Sequence, residues 1–95
     1  MKYEVLLRER VIDLLIAWKP PDFVLDELER FLDEQLAVNP VECLRQVKAT
    51  SAMECHCTIP EPDAGRIHVF ILRVHYGEDE TTLFVYDAFY YELGS

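Results

Sequence analysis

The apolar residues of this chain follow a helical period in the first half of the sequence and a strand period in the second half. Across residues 8–18 they recur every three or four positions, which predicts a first helix. A second helix is predicted to begin near Asp22, after Pro20-Pro21, and to end at Asn39-Pro40, because the residue before proline disfavours helical angles. The apolar stripe of that second helix consists of Val24, Leu25, Leu28, Phe31, Leu32 and Leu36.

The strand periods lie on both sides of this helical region. Residues 3–7 predict a short first strand, and residues 52–59, 66–76 and 81–91 predict three more, separated by turn-forming residues at 60–65 and 77–80. A short helical turn is predicted at 41–47. The resulting order, β-α-α-β-β-β, predicts an α+β fold, an antiparallel sheet with two helices packed on one face. At 95 residues the chain is predicted to be a single domain spanning 1–95.

The last two predicted strands are expected to form a hairpin, with one face buried in the core and the other face available for binding. If Tyr76 pairs with Thr81, the core face carries Phe70, Leu72, Val74, Leu83, Val85 and Phe89. We expect Val24, Leu28, Phe31 and Leu32 of the second helix to cover it. The opposite face would then carry Ile71, Arg73, His75, Thr82, Phe84, Tyr86, Ala88 and Tyr90, and this mixture of aromatic residues with an arginine is suited to binding.

Composition narrows the class of protein. No segment approaches the roughly 20 apolar residues of a membrane span, and the first residues lack the layout of a secretory signal. These observations predict a cytoplasmic protein that does not bind membranes. The three cysteines are an odd number, and Cys55 and Cys57 lie too close on a strand to pair with each other. We therefore expect reduced thiols.

The charge balance disfavours a polyphosphate partner. The formal net charge is −9, and Arg66 and Arg73 are the only basic residues from position 51 onward. Nucleic-acid binding depends largely on Lys and Arg that neutralise phosphates, so RNA or a ribosome is a disfavoured partner. Binding is expected to be weak, and to strengthen modestly when His56, His68 and His75 become protonated.

The predicted hairpin contains two segments with a recognisable pattern. They read Leu72-Arg73-Val74-His75-Tyr76 and, after an acidic turn, Leu83-Phe84-Val85-Tyr86-Asp87-Ala88-Phe89. This pattern resembles the C-terminal hairpin of the RelE/ParE toxin superfamily, in which Tyr-Arg-apolar-X-Tyr, a turn and an apolar strand ending in Ala-Phe are common. The upstream order of one strand and two helices also resembles that family, so the resemblance covers nearly the whole chain.

The resemblance implies roles for individual residues. In ribonuclease members an arginine at the position of Arg73 holds the scissile phosphate, and a Tyr or His near the C-terminus assists acid–base chemistry. Tyr91 matches that second position, with Tyr90 as the neighbouring alternative. The strand that usually supplies Lys or Arg offers Glu54 and His56 here, and the Lys-Lys that often follows Ala-Phe is Tyr90-Tyr91.

The same residues also have chemical interpretations of their own. Arg73 can stabilise charge on phosphate oxygens, or it can be a surface arginine paired with a carboxylate. His56, His75 and Glu54 can act as general acids or bases, or they can be ordinary exposed strand residues. Cys55-His56-Cys57 contains the donor types of a zinc site, but in a strand His56 points away from both cysteines, so core thiols are the favoured interpretation. No metal and no cofactor is predicted.

Two main functions remain on the sequence alone. The first is a toxin-type domain of a toxin–antitoxin system that acts through a protein partner, either an antitoxin or a target protein; the acidity of the chain favours it. The alternative is a messenger-RNA endoribonuclease that uses Arg73 and a C-terminal tyrosine. A homodimer formed through the exposed aromatic strand is a third, weaker interpretation.

Overall fold

The computed structural model describes residues 2–94 and confirms the predicted α+β class. Met1 and Ser95 of the predicted 1–95 domain lie outside the described residues. The elements, in chain order, are β1 (Glu4–Leu7), α1 (Glu9–Trp18), α2 (Asp22–Phe31), a π-helical turn (Leu32–Leu36), α3 (Pro40–Cys43), β2 (Arg45–Gln46), β3 (Met53–Glu61), a 3-10 turn (Pro62–Ala64), β4 (Arg66–Tyr76) and β5 (Thr82–Gly94).

The five strands form one mixed sheet in the order β1-β5-β4-β3-β2. The pairs β2–β3, β3–β4 and β4–β5 are antiparallel, but β1 pairs with β5 in parallel, so the prediction of a purely antiparallel sheet is wrong. A hairpin forces antiparallel pairing, whereas a strand that reaches its neighbour through a long connection is free to lie parallel. The contact is fixed by Glu4 N–H donating to the Thr81 carbonyl at 3.0 Å and by Arg8 N–H donating to the Val85 carbonyl at 2.9 Å.

Both long helices pack on the same face of the sheet, and most of the predicted core is confirmed. Seven of the predicted residues are buried, and Phe31 and Leu32 lie half-buried at the border of the same cluster. Helix α1 adds Val11, Leu15 and Trp18 to it. The seven are Val24, Leu28, Phe70, Leu72, Val74, Leu83 and Val85.

The connection between the helices and the sheet differs from the prediction. The second helix continues past Phe31 as a π-helical turn, and the region predicted as a helical turn at 41–47 contains the end of α3 and the short strand β2. Strand β2 forms because Arg45 and Gln46 lie in register with Glu54 and Met53. The turn between β2 and β3 is closed by Val47 N–H, which donates to the Ala52 carbonyl at 2.8 Å.

A β-bulge in β5 changes which side chains reach the core. Arg73 lies in register with Asp87, but Val74 lies in register with Val85, so Tyr86 is an extra residue on β5. One extra residue turns every following side chain to the opposite face. The prediction that Phe89 faces the core, and Ala88 and Tyr90 the other side, is therefore wrong: Ala88 is buried, whereas Phe89 is 44% exposed.

Candidate functional site

The sheet face turned away from the helices, called the open face below, carries all five sequence-predicted catalytic residues. Glu54 and His56 lie on β3, Arg73 and His75 on β4, and Tyr91 on β5. They share this face because cross-strand partners point the same way and because alternate residues of a strand do so too. The structure thus brings the five side chains to one surface, although not to one point.

A row of alternating charges crosses the open face at Arg73. Arg73 lies in register with Glu54 on one neighbouring strand and with Asp87 on the other. Next to Glu54, Arg45 is its register partner on β2, and Arg10 Nε forms an ion pair with Asp87 Oδ1 at 3.2 Å. The row therefore alternates in sign across the sheet, and most of its charge cancels.

The guanidinium of Arg73 lacks a protein acceptor at one position. Its central carbon lies 5.5 Å from the centre of the Phe89 ring, and its Nε is buried without a hydrogen-bond partner among residues 2–94. Asp87 bonds to Arg10 instead, and the Glu54 carboxylate bonds to His56 Nε2 at 3.3 Å. An unpaired buried donor costs about 1–3 kcal/mol. Since Nε itself is closed to solvent and Arg73 as a whole is only half-buried, a ligand acceptor would approach the terminal nitrogens of its guanidinium.

Aromatic rings flank Arg73 on the side of the β4–β5 turn. The His75 ring lies 5.3 Å, centre to centre, from both Phe84 and Tyr86. The guanidinium of Arg8 lies over Phe84 at 4.3 Å, within the range of a cation–π contact. His75 itself is exposed and its Nδ1 lies 3.1 Å from the Tyr76 carbonyl, so it is positioned by local contacts and not by Arg73.

The other end of the open face carries an apolar patch, defined as Ile67, Phe89, Tyr91 and Leu93. These four side chains are between 38% and 50% exposed. Tyr91 belongs to this patch and lies four residues along β5 from Asp87, the register partner of Arg73. At the usual rise of a strand this separation is roughly 13 Å between Cα atoms, so Tyr91 and Arg73 are not neighbours on the open face.

A hydrogen-bonded network that the sequence analysis missed lies on the helix-covered face. His68 is fully buried; its Nε2 bonds to Glu61 Oε1 and its Nδ1 to the Tyr90 hydroxyl, each at 2.7 Å. The Tyr90 hydroxyl in turn donates to Glu92 Oε1 at 3.0 Å. Since carboxylates only accept and the Tyr90 hydroxyl gives its proton to Glu92, both ring nitrogens of His68 face oxygen atoms that can accept a hydrogen bond.

Arg66 balances the charge of the network. Its guanidinium lies 3.4 Å from a Glu61 carboxylate oxygen and 3.5 Å from one of Glu92. Arg66 therefore offsets part of the negative charge of these two carboxylates at this end of the sheet. His68 is fully buried, so of the three histidines named for polyanion binding it is the one whose side chain does not reach the surface. The sequence did contain a signal for this burial, because His68 lies two residues before Phe70 on β4 and alternate residues of a strand point to the same face.

Tyr90 is a poor acid–base candidate. Its side chain lies on the helix-covered face, where its ring packs 4.7 Å from that of Phe70. Burial, and then the hydrogen bond to Glu92, raises the pKa of Tyr90 to about 12. A group with this pKa stays protonated near neutral pH, so Tyr90 acts here as a hydrogen-bonded core residue.

The cysteines of β3 lie on the opposite face from His56. Cys55 and Cys57 are buried in the core, while His56 is on the open face. Burial raises the pKa of each of these two thiols to about 12, so neither is a ready thiolate ligand or nucleophile. Across residues 2–94, no group of three or more His, Cys, Asp and Glu side chains is arranged to hold a metal ion.

A cavity of about 630 Å³ lies away from the open face, between β1, α2 and the π-helical turn. Its lining includes Arg30 but is otherwise rich in carboxylates, and none of the five predicted catalytic residues contributes to it. The acidic side chains that line it are Glu4, Asp26, Glu29, Asp33 and Glu34. This cavity is electrostatically unsuited to a phosphate-bearing ligand.

Comparison with known proteins found no relatives. No protein-family model matches the chain, and neither a curated protein nor a solved structure matches it significantly. Within residues 2–94 no helix is both long enough and apolar enough to cross a membrane.

Proposed function

We propose that this chain is a RelE/ParE-like toxin-type domain of the cytoplasm that acts by binding a protein partner through the open face of its sheet. The observation that carries this proposal is the setting of Arg73. Its Nε is buried and unpaired, its guanidinium lies over Phe89, and carboxylates occupy the register positions on both sides.

This setting favours a protein over a nucleic acid. Phosphate binding is built from several cations acting together, whereas Glu54 and Asp87 flank Arg73 in the row that crosses the open face. Energetically dominant residues of protein interfaces are enriched in Arg and Tyr, with apolar surroundings that exclude water. Arg73 beside Phe89, with Tyr91 further along the same strand, fits that second description.

The partner, an antitoxin or a target protein, is expected to offer two complementary groups. The first is a carboxylate or backbone carbonyl that accepts a hydrogen bond from Arg73. The second is an apolar side chain that packs on Phe89. A partner with basic residues at the rim would in addition be attracted by the net charge of −9.

The second candidate function is messenger-RNA cleavage, and one observation favours it. All five residues named for that chemistry share the open face, and Glu54 is hydrogen-bonded to His56 close to Arg73. In this version Arg73 holds the phosphate and Tyr91 assists proton transfer. The separation of roughly 13 Å along β5 weighs against this version, because an acid or base has to reach the same phosphate that Arg73 holds.

The test is inducible expression in bacteria with growth and RNA integrity followed together. Wild type is expected to slow growth while RNA stays intact, and Arg73→Ala is expected to restore growth. Arg45→Ala is the matched control, because Arg45 belongs to the same charged row but is exposed on β2. Circular dichroism of the purified variants checks that each is folded.

Three outcomes separate the candidates. Growth arrest with cleaved RNA, abolished by both Arg73→Ala and Tyr91→Phe, would establish the ribonuclease. Arrest with intact RNA that survives Tyr91→Phe but not Arg73→Ala supports the interaction domain. Wild-type expression without any effect on growth, at a level where folded protein accumulates, contradicts the toxin-type assignment.

A further inference from the structure

The end of β5 has backbone groups without partners. Outward means away from β4, toward the edge of the sheet. The Val85 carbonyl points outward and accepts a hydrogen bond from Arg8 N–H. Because of the bulge, the residues after Asp87 whose backbone N–H and carbonyl groups point outward are Ala88, Tyr90 and Glu92. The Ala88 N–H is satisfied by Asp87 Oδ1 at 2.9 Å. The outward N–H and carbonyl groups of Tyr90 and Glu92 have no backbone partner within the described chain.

The opposite edge of the sheet is better protected. Glu54 of β3 is paired with β2, and Pro60 occupies a position where its missing N–H faces outward. Between Glu54 and Pro60, the residues of the β3 edge with outward backbone groups that β2 does not cover are His56 and Thr58, and both have polar side chains. Natural sheets protect edges with proline and charge, and the end of β5 has no proline or lysine and is flanked by the apolar patch.

We propose that two copies of this chain associate by antiparallel pairing of their β5 strands, with Tyr91 of one copy opposite Tyr91 of the other. In this register Tyr90 of each copy exchanges hydrogen bonds with Glu92 of the second copy. All four unpaired backbone groups of each strand are then satisfied. Strand β5 extends past the end of α1, since Trp18, the last residue of that helix, lies beside Tyr90.

The alternative registers are disfavoured by the residues of β5 that they would bring together. A shift that places Glu92 opposite Glu92 opposes two like charges, which destabilises a strand pair. A shift that places Tyr90 opposite Tyr90 pairs Glu92 with Ala88, whose N–H is already bonded to Asp87. The proposed register instead places Phe89 opposite Leu93 and Tyr91 opposite Tyr91, so that the two apolar patches become continuous.

Net charge opposes the association and gives it a signature. Each copy carries −9, so the two copies repel at low ionic strength. Raising salt from about 0.05 M to about 0.5 M shortens the Debye length severalfold and is expected to increase the dimer fraction. A dimer held by ion pairs would respond in the opposite direction.

Cysteine cross-linking tests the register. Directly opposite residues of a non-hydrogen-bonded pair have Cα atoms about 4.5 Å apart, which suits a disulfide. Tyr91→Cys is therefore expected to form a covalent dimer under mild oxidation, whereas Leu93→Cys, which lies opposite Phe89, is not. Wild type, with its own Cys43, Cys55 and Cys57, is the background control. Equal cross-linking of both variants, or none in Tyr91→Cys, overturns the register.

Sedimentation velocity tests the edge itself. Wild type is expected to sediment as a dimer, with twice the chain mass of 11.1 kDa. Glu92→Pro removes an outward N–H and is expected to sediment as a monomer. Thr58→Pro removes an outward N–H from the β3 edge, and Glu92→Gln removes only the charge; both are expected to remain dimeric. A dimeric Glu92→Pro, or a monomeric wild type at about 1 mM, overturns the proposal. Arg73→Ala is expected to leave the dimer unchanged, so this result is independent of the proposed function.

Discussion

The two faces of the sheet are built from alternate residues of the same strands, and yet they differ in almost every physical respect. On the helix-covered face, Phe70 and Leu83 are fully buried. On the open face of the same two strands, Arg73 holds an unpaired donor and Phe89 is 44% exposed. The comparison separates the residues that make the fold stable from those that remain free to bind. Mutations on the two faces should therefore have different consequences.

The largest expected effect is on stability at the covered face. Phe70→Ala should lower the free energy of unfolding by about 3–5 kcal/mol, because it leaves a cavity beneath the helices. Phe89→Ala on the open face is the matched control, with an expected loss below about 1 kcal/mol. Urea titrations followed by circular dichroism measure both. Equal losses would show that the open face is covered in solution.

Alkaline pH should destabilise the covered face through its thiols. Burial raises the pKa of Cys55 to about 12 in the folded state, whereas an unfolded thiol titrates near 8.5. Between these values the unfolded chain has lost a proton that the folded chain keeps, so stability falls as pH rises. The fall is at most about 1.4 kcal/mol per pH unit for one thiol.

The measurement is the slope of unfolding free energy against pH between about 9 and 11. Cys55→Ala should give a shallower slope than wild type, whatever its effect on stability at pH 7. Cys43→Ala is the comparison, since burial also raises the pKa of the half-buried Cys43 but by less than that of Cys55, so it should flatten the slope less. Identical slopes in all three proteins would show that Cys55 does not titrate in this way.

A smaller effect is expected from the buried network. Tyr90→Phe removes the hydroxyl that links His68 to Glu92 and should cost about 0.5–1.5 kcal/mol, or up to about 3 kcal/mol if the bonds to charged groups dominate. Tyr91→Phe changes the neighbouring residue on the open face and should leave stability unchanged. Chemical denaturation at pH 7 compares them. A larger loss from Tyr91→Phe would contradict the assignment of these tyrosines to opposite faces.

The smallest expected signal is nucleic-acid binding by the open face. Most of the charge of the row through Arg73 cancels, so a labelled RNA single strand should show no saturable anisotropy change at about 150 mM salt. Arg73→Ala should match wild type in this titration. Submicromolar binding that disappears in Arg73→Ala would instead favour the ribonuclease.

The helices, the long strands and most of the core follow from the sequence because they depend on local periodicity. Val24 and Leu28 repeat at a helical spacing, and Phe70, Leu72 and Val74 alternate as a buried strand face must. The shared surface of Glu54, Arg73 and His75 also follows from alternation once β3 and β4 are paired. The boundaries of the two strands are enough to place these three side chains on one face.

The features that were missed depend on contacts between distant segments. The parallel pairing of β1 with β5 is decided by where the helices return the chain to the sheet, which no local pattern records. The bulge at Tyr86 adds one residue without any glycine to mark it, and the error at Phe89 followed from that. The bonds of His68 to Glu61 and Tyr90 required the register of three strands together.

The bulge has a consequence for how the length of this chain can vary. Tyr86 is the residue that the ladder leaves unopposed, so it is also the residue whose removal the sheet can absorb. Deleting Tyr86 would keep Asp87 opposite Arg73, so Phe89 would stay on the open face and Ala88 in the core. Inserting one residue in the same segment would add a second unopposed residue or turn Phe89 into the core, and such insertions are therefore expected to be selected against more strongly than substitutions. In the turn at residues 77–81, by contrast, changes in length leave these directions intact.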